Sequence, residues 1–378
     1  MVSEGELAPG TTVGQYVVEK RIGAGGMGEV YQAMHTGLNK RVAIKTLRSE
    51  HANNEVVLGR FLREGQVASR IRHPNVVDIT DVGVIGDLPC MVMEFMQGEA
   101  LSDLLKREKK LPLAEAIEWL LPVIAAVHAA HVQGVVHRDI KPANIFLAKN
   151  YSGEVTPKVL DFGISKVLED PGEITHSSGS SFLGSPHYAS PELARGEKDL
   201  DAKSDQYALG VVLYEASCGV RPFAGKATSF MALMYAIAGG QFARPTEHEP
   251  SLPPAFEATV LRAMATNRED RFPSVVELGA ALLPFASPRA VLLWEPVFGK
   301  VRAPDAASPH LPGATPAAEA RAPVSLLSAL TRVVGWGALF ALGLTLSWGA
   351  MRLFAMSKGV SADPFSPAKA SVESADSK

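Results

Sequence analysis

At 378 residues the chain is long enough for one large domain or two ordinary ones, and 47% apolar against 20% charged residues excludes disorder for most of it. A formal charge of −3 offers no basic face, so no nucleic-acid partner is expected. Two cysteines, Cys90 and Cys218, are too few for a disulfide framework and too far apart for a zinc motif, which suits a reducing compartment.

The opening stretch MVSEGELAPG is acidic and lacks an apolar core, so it does not read as a signal peptide. Three short strands are expected next, in QYVVEKRI, EVYQAMH and RVAIKTL, each rich in Val, Ile or Tyr and broken by Gly or Asn. An amphipathic helix follows: Leu58, Phe61, Leu62, Gly65, Ala68 and Ile71 recur at helical spacing, with Arg60, Arg63 and Glu64 between them. Two more strands are expected around residues 76–84 and 89–95. From Leu101 the pattern turns mainly helical. Pro122 is expected to kink or restart its helix, since an interior proline costs about 3 kcal/mol.

Residues 286–325 are rich in Ala and Pro with little periodicity and read as a linker, except for RAVLLWEPVFGKV at 289–301, which fits no class. Residues 333–351 form a run of 19 without a charge, with Trp336 and Trp348 near its ends and Arg332 and Arg352 outside it. That length suits a helix crossing a bilayer, which needs about 20 apolar residues. The alternative is a buried core helix. Residues 352–378 form a short tail too small for a domain of its own.

Several motifs carry chemistry. IGAGGMGEV, residues 22–30, sets Gly23, Gly25 and Gly28 in a G-x-G-x-x-G-x-V pattern between two strands, where backbone N–H groups can approach phosphate oxygens closely. A dinucleotide-binding turn shares that spacing but needs a helix directly afterwards, and EVYQAMH is strand-like. VAIK ends on Lys45 within an apolar strand, and Glu64 on the following helix offers it an ion pair. In VVHRDIKPANIFL, residues 135–147, His137, Arg138, Asp139, Lys141 and Asn144 cluster between apolar runs. VLDFG brings Asp161 to the end of another strand, where it and the amide oxygen of Asn144 suit a hard divalent cation. His128 and His131 in HAAH lack the further ligands that zinc would require.

In this order, with Phe162, Gly163 and Glu192 added, these residues resemble the bacterial eukaryotic-like (Hanks-type) serine/threonine protein kinases over roughly residues 14–285. HRDIKPAN and GSPHYASPE point to the Ser/Thr branch rather than the tyrosine branch. The resemblance implies an α+β bilobal fold: a β-rich N-lobe with one long helix (14–96) and a mainly helical C-lobe (97–285). The linker, a single transmembrane helix and the tail would follow.

It also implies roles. Asp139 would orient the substrate hydroxyl, with Lys141 neutralising charge beside it. Lys45, positioned by Glu64, would hold ATP phosphates, and Asn144 and Asp161 would bind Mg²⁺, with Mn²⁺ an alternative. Ile22, Gly23, Ala24, Gly25, Gly26, Met27, Gly28 and Val30 would cover the nucleotide. Ala43 and Phe146 would enclose the base, with Met93 at the back of the pocket and Glu94 to Met96 as the hinge. His137 and Phe162 would stack inside, Asp205 would anchor the catalytic loop, and Glu192 would pair with Arg271.

Arg138 and Lys166 would meet a phosphate on Thr175, Ser178, Ser180 or Ser181. Ser185 would contact Asp139 and Lys141. Ala143 stands where many members that prefer basic substrates carry Glu, which weakens any such preference here. The implied partners are protein substrates with Ser or Thr, the membrane, and a second copy for autophosphorylation. The implied location is the inner or plasma membrane with the kinase domain cytoplasmic. Two rivals remain: a pseudokinase-type nucleotide-binding scaffold, and a soluble kinase whose C-terminal apolar helix binds a partner.

Overall fold

Alternating apolar and polar side chains turn the first part of the chain into an antiparallel sheet. The computed structural model describes residues 7–25, 28–52, 54–162, 186–225 and 229–300. Its first strands are β1 (Thr12–Val13), β2 (Tyr16–Ala24), β3 (Gly28–His35) and β4 (Lys40–Leu47). Two helices follow, α1 (Ser49–Ala52) and α2 (Glu55–Ala68), then β5 (Ile79–Ile85) and β6 (Leu88–Glu94). The strands lie in the order β1-β2-β3-β4-β6-β5.

Register sorts this sheet into two faces. Lys45 lies opposite Val30 and Met91, and Ala43 lies opposite Gln32 and Met93. With a side-chain period of two, all six residues share one face. The other face buries Tyr31, Ala33, Val42, Ile44, Cys90 and Val92 as a core of its own.

Asn54 caps α2 by accepting hydrogen bonds from the N–H groups of Val56 and Val57. The helix then packs closely on the sheet. A Cβ added at Gly65 would stand 2.8 Å from Met91 Cε and from Val82 Cγ2. Glycine is therefore the residue that lets α2 approach, and Glu64 beside it is buried as a result.

The second lobe begins with β7 (Gln97–Ala100), α3 (Leu101–Glu108) and α4 (Leu113–Val132). It continues through β8 (Ile145–Lys149) and β9 (Val155–Val159), which join β7 in a three-stranded sheet. Helices α5 (Pro191–Ala194), α6 (Ala202–Cys218), α7 (Phe230–Gly239), α8 (Pro245–His248), α9 (Pro254–Ala263) and α10 (Val275–Leu282) complete the large core.

Two expectations need correction. The helix α4 runs through Pro122 as one 20-residue element, so the proline does not end it. Pro122 is buried among Leu121, Val123 and Ile124, and packing on most of the helix surface outweighs one missing hydrogen bond. This helix is long and apolar enough to cross a membrane, but most of it is buried inside the lobe.

The stretch expected as a linker from residue 286 is folded at its start, where α11 (Pro288–Phe298) is a helix. Ser287 caps it, and Phe298 is fully buried against α10. A Cβ at Gly279 would meet the Phe298 ring at 2.5 Å, so the glycine makes room for this anchor. Residues 301–325, the apolar run at 333–351 and the tail lie outside the described residues.

Candidate active site

Lys45 reaches from β4 into the space between the lobes, where its Nζ donates to Asp161 Oδ1 at 2.7 Å. Burial alone would lower the pKa of this ammonium. The charges of Asp161, Glu64 and Asp139 overcome that and raise it. The charge of Glu64 acts on Lys45, and Asp161 is an ion-pair partner that reading the motifs separately did not foresee.

The loop before β8 carries the next set. Lys141 Nζ donates to Asp139 Oδ2 at 2.7 Å. Asn144 donates its Nδ2 to the Asp139 carbonyl at 2.8 Å and to Oδ2 at 3.0 Å. These bonds fix the orientation of the amide, and its Oδ1 accepts no hydrogen bond among the described residues. Asp161 likewise spends Oδ1 on Lys45 and keeps Oδ2. Two oxygens on facing elements form a hard-donor set, and a divalent cation completed by phosphate and water fits it.

The loop holds its shape through Asp205 on α6. The backbone N–H of His137 donates to its Oδ2 at 2.8 Å and that of Arg138 to its Oδ1 at 2.7 Å. Arg138 adopts a φ of 66°, an unfavourable conformation for a residue with a Cβ, so these bonds offset a local cost. His131 Nε2 also meets Oδ2, at 2.7 Å. Burial would raise the Asp205 carboxyl, yet the hydrogen bonds from His131 and from the His137 backbone N–H hold it below the usual range.

His131 was considered in sequence only as half of a metal pair. Its role here is to brace Asp205, and no group of three or more His, Cys, Asp or Glu among the described residues gathers as a metal site. His137 is buried, and burial lowers its pKa despite nearby carboxylates. It accepts from the Asp139 N–H at Nδ1 and so donates from Nε2 to the Leu160 carbonyl, the neutral tautomer. Its ring stacks against Phe162 with centroids 4.6 Å apart.

The glycine loop hairpins from β2 to β3, with Gly23 opposite Val30 and the Gly25 N–H bonded to the Gly28 carbonyl at 2.8 Å. A Cβ at Gly28 would stand 2.0 Å from the Thr46 carbonyl oxygen, which admits no other residue there. Val30 and Ala43 share the sheet face of Lys45, Met93 is buried at the back, and Ile22 is exposed at the rim. The Glu94 N–H donates to the Asp78 carbonyl at 2.9 Å, while its carboxylate takes Lys158 Nζ at 2.6 Å.

Gly26, Met27, Gly163, Lys166, Thr175, Ser178, Ser180, Ser181 and Ser185 lie outside the described residues. Further from the cleft, Glu192 forms a two-pronged pair with Arg271 at 2.7 and 2.9 Å.

A two-lobed molecule with a glycine hairpin, a half-buried lysine and a carboxylate–amide pair facing each other has the architecture of a phosphotransferase. The protein kinase domain model matches residues 16–277, and the chain belongs to that family. It is 39% identical to the serine/threonine-protein kinase PrkC of Bacillus subtilis, over 71% of this chain and 40% of that protein. It is 36% identical to the serine/threonine-protein kinase PknB of Mycolicibacterium smegmatis, over 71% of this chain and 42% of that protein.

The PknI kinase domain of Mycobacterium tuberculosis superposes with a TM-score of 0.58 at 28% identity, covering 74% of this chain and 100% of that one. These relatives place the chain with the protein serine/threonine kinases. The matched region spans about four-tenths of the length of the curated relatives.

Proposed function

We propose that the chain is an ATP- and Mg²⁺-dependent kinase that transfers the γ-phosphate of ATP to Ser or Thr hydroxyls of proteins. The observation that carries this reading is one cleft in which Lys45 bonds Asp161, Asn144 bonds Asp139, and Asp139 bonds Lys141. Asn144 and Asp161 would hold a divalent ion, whose positive charge would offset that of the phosphates; Mn²⁺ suits the same donors.

Lys45 would exchange Asp161 for the α and β phosphates, and Glu64 keeps its charge in place. Asp139 would orient the acceptor hydroxyl and take its proton late. A carboxylate is a weak base, which suffices for a loose phosphoryl-transfer transition state. Lys141 would neutralise charge developing on the transferred group. With the Glu94 N–H already donated to Asp78, the adenine edge would be read by the Glu94 carbonyl and the backbone of Met96. Val30, Ala43 and Phe146 would enclose the ring.

Regulation would run through Arg138. A phosphate on Thr175, Ser178, Ser180 or Ser181 would pair with it and with Lys166, ordering the segment. The buried Arg138 Nε has no partner among the described residues, which supports a missing anion. Ser185 would contact Asp139 and Lys141. The run at 333–351 would tether the kinase to the inner or plasma membrane from the cytoplasmic side, where two copies could phosphorylate each other.

The test is transfer of label from γ-labelled ATP with Mg²⁺, comparing the chain with its Asp139→Asn variant and mapping the sites. Label only on the parent, mapping to residues 175–185, supports both activity and loop regulation. Nucleotide binding with no transfer from either protein would favour the scaffold reading.

A further inference from the structure

A second concavity of about 540 Å³ opens beside the catalytic loop. Lys141 and Ala143 form one wall, so the cavity begins at a side chain that bonds Asp139. The other walls include Lys106 and Lys109 at the end of α3, Arg221 beyond α6, and Glu215 with Tyr188. Its charge is therefore one-sided.

Lys141 is matched by Asp139, and Lys106 by Asp103 at 2.7 Å. Lys109 and Arg221 have no side-chain hydrogen bond or ion pair among the described residues. The single carboxylate of the lining, Glu215, accepts the Tyr188 hydroxyl. Burial raises its pKa, and the charge of Arg221 acts the other way. Glu215 thus already has a donor and a cation beside it, and Ala143 adds no charge. A basic guest would meet the field of two cations with no spare anion. An anionic guest would meet two cations with unspent donors.

We infer that this cavity receives an anionic side chain of the protein substrate, a carboxylate or a phosphorylated residue near the acceptor hydroxyl, and that Lys109 and Arg221 read its charge. The inference rests on the kinase reading above and adds the substrate class to it. Because the walls are half-exposed, the selection is expected to be graded rather than absolute.

The experiment uses the full chain and peptides with one serine in an alanine background. Each flanking position is replaced in turn by Asp, phosphoserine or Arg. Within each enzyme preparation, kcat/KM for a substituted peptide is divided by that for the all-alanine peptide, so any loss of folded enzyme cancels.

At one flanking position Asp and phosphoserine should raise the ratio about fivefold, the scale of a well-formed exposed ion pair, and Arg should lower it. The Lys109→Gly, Arg221→Gln double variant should bring the Asp ratio close to one; glycine suits the φ of 68° at position 109. Lys109→Glu should move the preference towards Arg. Raised ionic strength should shrink it in the parent. A gain with phosphoserine alone assigns the cavity to previously phosphorylated substrates, and a gain with both assigns it to acidic ones.

A parent that favours Arg, that favours no anionic peptide, or whose preference survives in the double variant overturns the inference. Failure of the kinase reading shows separately, as equal label transfer to the all-alanine peptide by the parent and by Asp139→Asn.

Discussion

Two polar clusters in this protein each pair a cation with a carboxylate and differ in how completely they are satisfied. In the C-lobe, the Arg271 and Glu192 side chains are 0% and 3% exposed, and Ser204 and the Lys203 carbonyl fill the remaining positions. In the cleft, the Lys45 and Asp161 side chains are 19% and 41% exposed, and Asp161 and Asn144 each keep an oxygen unspent. Saturation marks a scaffold, because a buried charge persists only when paired. Unspent capacity at an open boundary marks a place where something else binds.

That contrast can be broken by substitution. The largest effect should come from the cleft: Lys45→Met or Asp161→Asn should cut phosphotransfer by a factor on the order of 10² or more, as expected when a preorganised charge is removed. Urea unfolding of the same variants should stay near the parent, since neither side chain is part of the buried core.

Glu192→Gln should behave in the opposite way. Leaving Arg271 buried without its counter-charge should cost about 3–5 kcal/mol in urea unfolding, while nucleotide affinity of the remaining folded protein is kept. A cleft variant that unfolds the protein, or a Glu192 variant of full stability, would sink the distinction.

The pair also predicts an acid limb. Arg271 and Ser204 overcome burial and hold the Glu192 carboxyl at about 2, against an ordinary value of 4.5. A depressed pKa gives stability that is complete above the ordinary value and is lost as pH falls through the folded one. Thermal midpoints should therefore drop between pH 4.5 and about 2, and Glu192→Gln should flatten that part of the curve.

The smallest change is Gly65→Ala. The added methyl meets Met91 and Val82, and such overpacking typically costs about 1–3 kcal/mol. Because it displaces α2, KM for ATP should rise through the shifted Glu64. Unchanged KM would mean that Glu64 holds Lys45 without help from the close helix–sheet contact.

Much of the site was legible from residues alone. Glycines at phosphate-approach spacing, a lysine in an apolar strand and polar residues between apolar runs are arrangements that core-building does not call for. Other features were less visible. His131 stood near His128 with no ligand set around it, whereas its partner Asp205 is 74 positions away. Gly65 was noted only as one position of an apolar face. A glycine at the buried centre of a helix was the available signal that a backbone approaches closely there.

What the sequence by itself determined is the chemistry: which donors, acceptors and charges exist, and in which local element each is carried. It could do so because phosphoryl transfer demands particular side chains at short, fixed spacings. Tertiary structure alone decided who meets whom. It paired Lys45 with Asp161 across 116 positions, closed Asp205 on the strained Arg138 backbone, carried α4 through Pro122 and seated Phe298 on Gly279. Those outcomes depend on approach distances between remote segments. Packing of the whole core sets such distances, and no periodicity along the chain records them.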